Sequence, residues 1–115
     1  GSIWEPLLLA PHLKLDNLTV IVDYNKIQSF GITNEVINLE PLSDKLKSFN
    51  WEVIEINGHE INDIENSLRQ KSNRPKLIIA HTIKGKGVSF MENKLEWHYR
   101  APDKKLLEQA LQELK

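Results

Sequence analysis

The sequence predicts an α/β fold, a parallel sheet with helices on both faces, and three observations lead there. Three segments rich in β-branched residues recur along the 115 residues. Stretches with apolar residues at helical spacing separate them. Two of the three segments are nearly continuous in Val, Ile and Leu, the pattern of strands covered on both sides.

The elements follow in order. "LTVIVDY" (Leu18 to Tyr24) is the first strand segment. After Pro41, the positions Leu42, Leu46 and Phe49 recur as one face of a helix. "EVIEIN" (Glu52 to Asn57) is the second strand, and its Glu52 and Glu55 place it nearer a sheet edge. The turn "NGHE" leads into a helix with Ile61, Ile64 and Leu68 on one side. "KLIIAHT" (Lys76 to Thr82) is the third strand, followed by a loop containing "IKGKG". A last helix runs from about Asp103, its N-cap after Pro102, with Leu106, Leu107, Ala110, Leu111 and Leu114 forming an apolar stripe. Strand, helix, strand, helix, strand, loop, helix is the order of a parallel sheet wrapped by helices.

Composition sets limits on what such a domain does. A chain of this length holds one core rather than two. Fifteen basic and 16 acidic side chains give a net charge of −1, so no basic face awaits a nucleic acid. With no cysteine, disulfides, thiolate metal sites and cysteine nucleophiles are excluded. The apolar runs "LLLA" and "LIIA" fall far short of the ~20 residues that span a bilayer. These features suit a soluble, cytoplasmic protein with no membrane partner. No repeat, low-complexity segment or linker divides the chain.

In open parallel sheets, ligands bind outside the carboxyl ends of the strands. The segments of interest are therefore Asp23 to Ile27, Asn57 to His59, and His81 to Gly87. Taken singly, each has an ordinary structural explanation. Asn-Gly-His is a common turn, and Gly85 and Gly87 serve wherever a loop needs positive φ.

Taken together and in order, "HLKLDNLTVIVDYNKIQSFG", "WEVIEINGHE" and "LIIAHTIKGKGVSFMENKLEWHYRAP" closely resemble the thiamine-diphosphate-binding domain of transketolases. The resemblance covers essentially the whole chain. It implies thiamine diphosphate as cofactor, held through Mg²⁺ or another divalent cation. Asn25 matches the Asn that closes the family's metal-binding signature, and the backbone carbonyl two residues later falls at Ile27. Both are hard oxygen donors of the kind Mg²⁺ prefers. Asp23 either orients Asn25 or caps a turn. His98, in "EWHYRAP", matches an active-site His that approaches the diphosphate and the reacting centre. Its type suits hydrogen-bond donation or proton transfer near neutral pH. Many relatives have Gly after this His, whereas Tyr99 here restricts the backbone. His59 and His81 read as structural residues, and His12 as a packing or surface residue. "HLKL" lacks the second His of the relatives' His-His-Lys-Leu.

The family's Gly-Asp-Gly segment, whose Asp supplies the carboxylate ligand, precedes a "GS" like Gly1-Ser2. The resemblance thus implies a piece that begins just after that segment, the C-terminal part of the diphosphate-anchoring domain over residues 1–115. The pyrimidine-binding domain or subunit lies elsewhere, and the isolated piece is expected to be inactive. Partner domains or self-association would cover the faces of its sheet, and the intact enzyme would be a homo-oligomer, a dimer. The implied reaction moves a two-carbon ketol unit between sugar phosphates in the pentose phosphate pathway. Deoxyxylulose-phosphate synthase, a 2-oxo acid dehydrogenase component and a non-catalytic truncated subunit remain as alternatives.

Overall fold

In chain order, the computed structural model, which describes residues 1–115, contains α1 (Trp4–His12), β1 (Thr19–Tyr24), β2 (Ile27–Gln28), β3 (Gly31–Ile32), α2 (Thr33–Val36), α3 (Leu42–Ser48), β4 (Glu52–Asn57), α4 (Ile61–Arg69), β5 (Lys76–His81), a 3-10 helix (Leu95–His98) and α5 (Lys104–Glu113). They divide between two units. The first comprises Gly1–Tyr24 and Leu39–His81, the second Asn25–Asn38 and Thr82–Lys115.

The first unit is a three-stranded parallel sheet in the order β1-β5-β4. Its register aligns Thr19 and Glu52 with Lys76, and Tyr24 and Asn57 with His81, so all three strands end level. The most apolar segment takes the middle. Leu77, Ile78 and Ile79 of β5 are almost wholly buried on both faces, as the run "LIIA" requires. β4 is an edge strand, as its glutamates suggest.

Side chains alternate between the faces of each strand. On one face Leu77 and Ile79 join Leu7 and Ala10 of α1, Leu42 and Leu46 of α3, Tyr24 and Trp51 in a single core, with Val20, Val22 and Val53 against it. α4 packs on β4 with Ser67 buried, on the side of Ile54 and Ile56. The coverage of β1 departs from the expectation of a strand covered on both faces. Its burial alternates, and Ile21 is 56% exposed, because the unit's helices leave that face of an edge strand open.

No sequence pattern marks α1, because its two prolines look like breakers. Pro6 sits in the first turn, where a helix has no use for the missing N–H, and Pro11 sits in the last. α3 ends as the residue types direct. Asn50 takes φ +70, its N–H donates to the Lys47 carbonyl and that of Trp51 to the Leu46 carbonyl. The reversal turns Trp51 inward, where its indole N–H donates to the Leu7 carbonyl at 2.6 Å and ties α1 down.

In the second unit, β2 and β3 form a small antiparallel hairpin, Ile27 opposite Ile32 and Gln28 opposite Gly31. β2 packs against the 3-10 helix. α5 starts at the expected N-cap, the Asp103 carboxylate accepting from the Leu106 N–H at 2.9 Å. Of its apolar stripe Ala110 is buried, while Leu107, Leu111 and Leu114 are exposed.

Candidate functional site

The level ends of three parallel strands gather polar groups in the first unit. Tyr24 closes β1, and its buried hydroxyl donates to Glu40 Oε1. Glu40 Oε2 in turn accepts the Leu42 N–H at 3.0 Å, which places this carboxylate at the start of α3. The Tyr24 ring meets His81 edge-on at 5.6 Å. His81 Nε2 lies 3.0 Å from Glu55 Oε2 on the neighbouring strand. Together with Ser43 and Lys47 these groups line a polar hollow of about 230 Å³.

The electrostatics follow from these contacts. Burial, and then the hydrogen bond to Glu40, push the Tyr24 phenol up to about 12. Glu55 is held below its usual value of 4.5, chiefly by the hydrogen bond with His81. Its contribution to stability is therefore present above that value and is lost as pH falls through the lowered one. By sequence alone His81 reads as structural and Glu55 only as an edge marker. Their pairing across β4 and β5 depends on register, which no local pattern specifies.

In the second unit, Asn25 follows β1 and is half-buried. Its Oδ1 accepts the Ile27 N–H at 3.0 Å, an Asx turn that brings the amide oxygen back over its own chain. Lys26, at the corner, has φ +62, and its carbonyl accepts the Thr33 N–H at 2.8 Å. Asn25, Lys26 and Ile27 thus form one pinned turn. An amide oxygen has two acceptor positions, so a hydrogen bond from Ile27 and a cation can share it. The donor set of Asn25 and the Ile27 carbonyl, two neutral hard oxygens, fits part of a Mg²⁺ shell. Nowhere do three His, Asp or Glu side chains converge on a metal-sized space. Asp23 lies on β1 opposite Ala80 with its side chain exposed.

"IKGKG" is an ordered series of turns. Val88 N–H donates to the Gly85 carbonyl at 3.1 Å and Asn93 N–H to the Lys84 carbonyl at 3.0 Å. Gly85 has φ +74, and a Cβ there would stand 2.8 Å from the Met91 backbone, so glycine is required. Gly87 N–H donates to Glu92 Oε1 at 3.0 Å. His98 is the last residue of the 3-10 helix and is exposed. Asn25, Ile27 and His98 therefore all belong to the second unit, with the helix that ends in His98 against the strand that starts at Ile27. Trp97, on one side of His98, does not stand out in the sequence, whereas Tyr99, on the other, is marked there as the residue that restricts the backbone.

A parallel α/β sheet with polar groups gathered at the carboxyl ends of its strands is the arrangement in which α/β domains bind ligands. The chain belongs to the transketolase family: its residues 1–114 match the domain described as "Transketolase, thiamine diphosphate binding domain". It is 42% identical over 117 residues to an apulose-4-phosphate transketolase subunit of Phocaeicola vulgatus, covering 99% of this chain and 42% of that protein. It is 40% identical to 6-deoxy-6-sulfo-D-fructose transketolase subunit SqwG of a Clostridium species, covering 99% of this chain and 42% of that one. Among solved structures, transketolase from Campylobacter jejuni superposes with a TM-score of 0.90 at 32% identity, over 99% of this chain and 18% of that one. The chain thus spans less than half the length of these relatives.

Proposed function

We propose that this chain is the diphosphate-anchoring part of a transketolase that transfers a two-carbon ketol unit between sugar phosphates. Membership of the family supports the class of reaction. The observation that carries the assignment is the pinned turn Asn25-Lys26-Ile27 directly after a parallel strand. In this reading the Asn25 side-chain oxygen and the Ile27 carbonyl would hold Mg²⁺ for the cofactor's diphosphate. His98 would donate a hydrogen bond toward the diphosphate and reacting centre, or move a proton there. When bound, thiamine diphosphate supplies the electron sink that carbon–carbon cleavage needs. The chain's own residues bind and orient it.

Two relatives bear the name of a transketolase subunit, which supports a second polypeptide as partner, providing the pocket for the pyrimidine ring. Homo-oligomerisation and a cytoplasmic location belong to the same proposal. No helix is long and apolar enough to cross a membrane. The relatives' names also point to phosphorylated or sulfonated sugars as the class of substrate to assay.

The test is Asn25→Ala in the complete enzyme, titrated with Mg²⁺ and thiamine diphosphate by calorimetry. Because the cation bridges protein and cofactor, both affinities should fall together, on the order of tenfold or more. Unchanged cofactor affinity would remove Asn25 from the anchor.

A further inference from the structure

His98 sits between two aromatic residues, and each is tied to a different piece of backbone. On the N-terminal side, the Trp97 indole N–H donates to the Phe90 carbonyl at 2.8 Å. The two rings pack edge-on at 5.2 Å, and the Arg100 guanidinium lies 5.7 Å from the Trp97 ring. This tether fixes the 3-10 helix to its own loop. On the C-terminal side, the Tyr99 hydroxyl donates to the Ser29 carbonyl, 70 residues away in sequence. Ser29 is in the turn between β2 and β3, directly after the Ile27–Gln28 strand. The Tyr99 ring stands edge-on to the imidazole of His98, with centroids 5.1 Å apart and an interplanar angle of 81°.

The backbone at Tyr99 is ordinary. With φ −118 and ψ −20 it suits any L-residue, so the Tyr99 side chain introduces no strain there. A glycine would offer neither ring nor hydroxyl and would leave the chain after His98 freer to rotate. Tyr99 thus ties down the chain after His98 without straining it.

We propose that Tyr99 is a positioning residue that holds His98 at a fixed place relative to the hairpin carrying Ile27. This rests on the role given to His98 above. Its consequence is that the cation-holding turn and the His act as one preorganised unit, since misplacing a reacting group by about 1 Å costs up to ~100-fold in rate. Tyr99 itself is 67% exposed, so loss of its hydroxyl leaves the packed interior untouched.

The test uses Tyr99→Phe, which keeps the ring, in the complete enzyme with its partner. Ketol transfer should fall on the order of tenfold in kcat. KM and the thiamine diphosphate dissociation constant should stay within about twofold. In a His98→Ala background the same substitution should have no further effect, because Tyr99 acts through His98. An unchanged kcat in Tyr99→Phe, or an equal loss with and without His98, overturns the proposal. A second readout is independent of activity. In the apoprotein, the ¹³Cε1–¹H signal of His98 should shift and broaden in Tyr99→Phe, and an unmoved signal overturns the proposal equally. If the unsubstituted enzyme neither binds thiamine diphosphate nor transfers a ketol unit, the functional reading falls. The His98 signal still decides whether Tyr99 positions the ring.

Discussion

Tyr24 shows how much of a residue's chemistry depends on partners that are distant in sequence. Its phenol is neutral where it donates to Glu40, so the folded protein favours protonation. That stabilisation is complete below pH 10.0, the ordinary value, and is lost as pH rises through about 12. The difference absorbance at 295 nm between the protein and its Tyr24→Phe variant should therefore report a phenol ionising near pH 12. A midpoint near 10 would contradict the buried hydrogen bond. In the sequence, Tyr24 belongs to the polar end of "VIVDYNKIQ", but Glu40, 16 residues on, carries no mark of being its acceptor. Asn25, Ile27 and His98 enter the proposed site for another reason. Their individual chemistry is compatible with ordinary turns, and only the ordered resemblance singles them out. The turn bond from Ile27 to Asn25 is the kind of local contact that Asn makes readily, and it supplies the geometry that the resemblance lacks.

At the scale of elements, the three strands of the parallel sheet are readable from the sequence almost unaltered, since β-branched runs bounded by turns leave little choice, whereas the two-residue strands β2 and β3 are too short to leave a pattern. Asp103 is readable as the N-cap of α5, but the cap that closes α4 is not. Lys76 begins the strand "KLIIAH" and looks like a solvated flank, yet it is 5% exposed. Its Nζ donates to the carbonyls of Ser67, Leu68 and Gln70, each at 2.8 Å, and closes the C-terminal end of α4. A cation there complements both the unpaired carbonyls and the negative end of the helix. Lys76→Met keeps the stem and removes all three bonds. It should lower unfolding stability by roughly 2–3 kcal/mol, given the strength of hydrogen bonds to charged groups. A urea midpoint that does not move would show that the carbonyls are satisfied by water instead. α1 is hidden because the letter alone does not tell a proline at a helix end, as Pro6 and Pro11 are, from one that breaks a helix interior.

At the scale of the whole molecule, the apolar surface is larger than the sheet and helices alone would explain. α1 leaves Leu8 and Leu9 more than half exposed. An apolar groove of about 240 Å³ runs beside them, lined by Ile3, Leu7, Leu9, Leu13, Leu18 and Val20. β1 has no partner on its outer edge. Periodicity does not reveal this, because an apolar residue reads the same whether its cover belongs to the same chain or to another. The site is similarly distributed. In the proposed anchor Asn25 and Ile27 would offer two neutral oxygens, and no cluster of His, Asp and Glu stands beside them to complete a cation shell. Mg²⁺ demands near-octahedral oxygen coordination and gives up its waters reluctantly. The 115-residue chain titrated with Mg²⁺ and thiamine diphosphate should accordingly give no saturable heat at micromolar concentrations. Saturable binding would mean that the chain holds the cofactor through residues other than these.

The level ends of β1 and β5 carry one more consequence, for the order in which the chain acquires its structure. The second unit is built from two segments far apart in sequence, and its Tyr99–Ser29 contact closes a span of 70 residues. The Glu55–His81 contact within the sheet closes only 26. Loop-closure entropy grows with the logarithm of length, a handicap of roughly 0.9 kcal/mol for the longer span before any contact rewards it. Once Tyr24 and His81 become register partners, the strands from which the two distant segments emerge end side by side, and most of that span is already closed. The sheet therefore acts as a template: sequence separation favours pairing of β4 with β5 first, β1 next, and the contact of Tyr99 with Ser29 last.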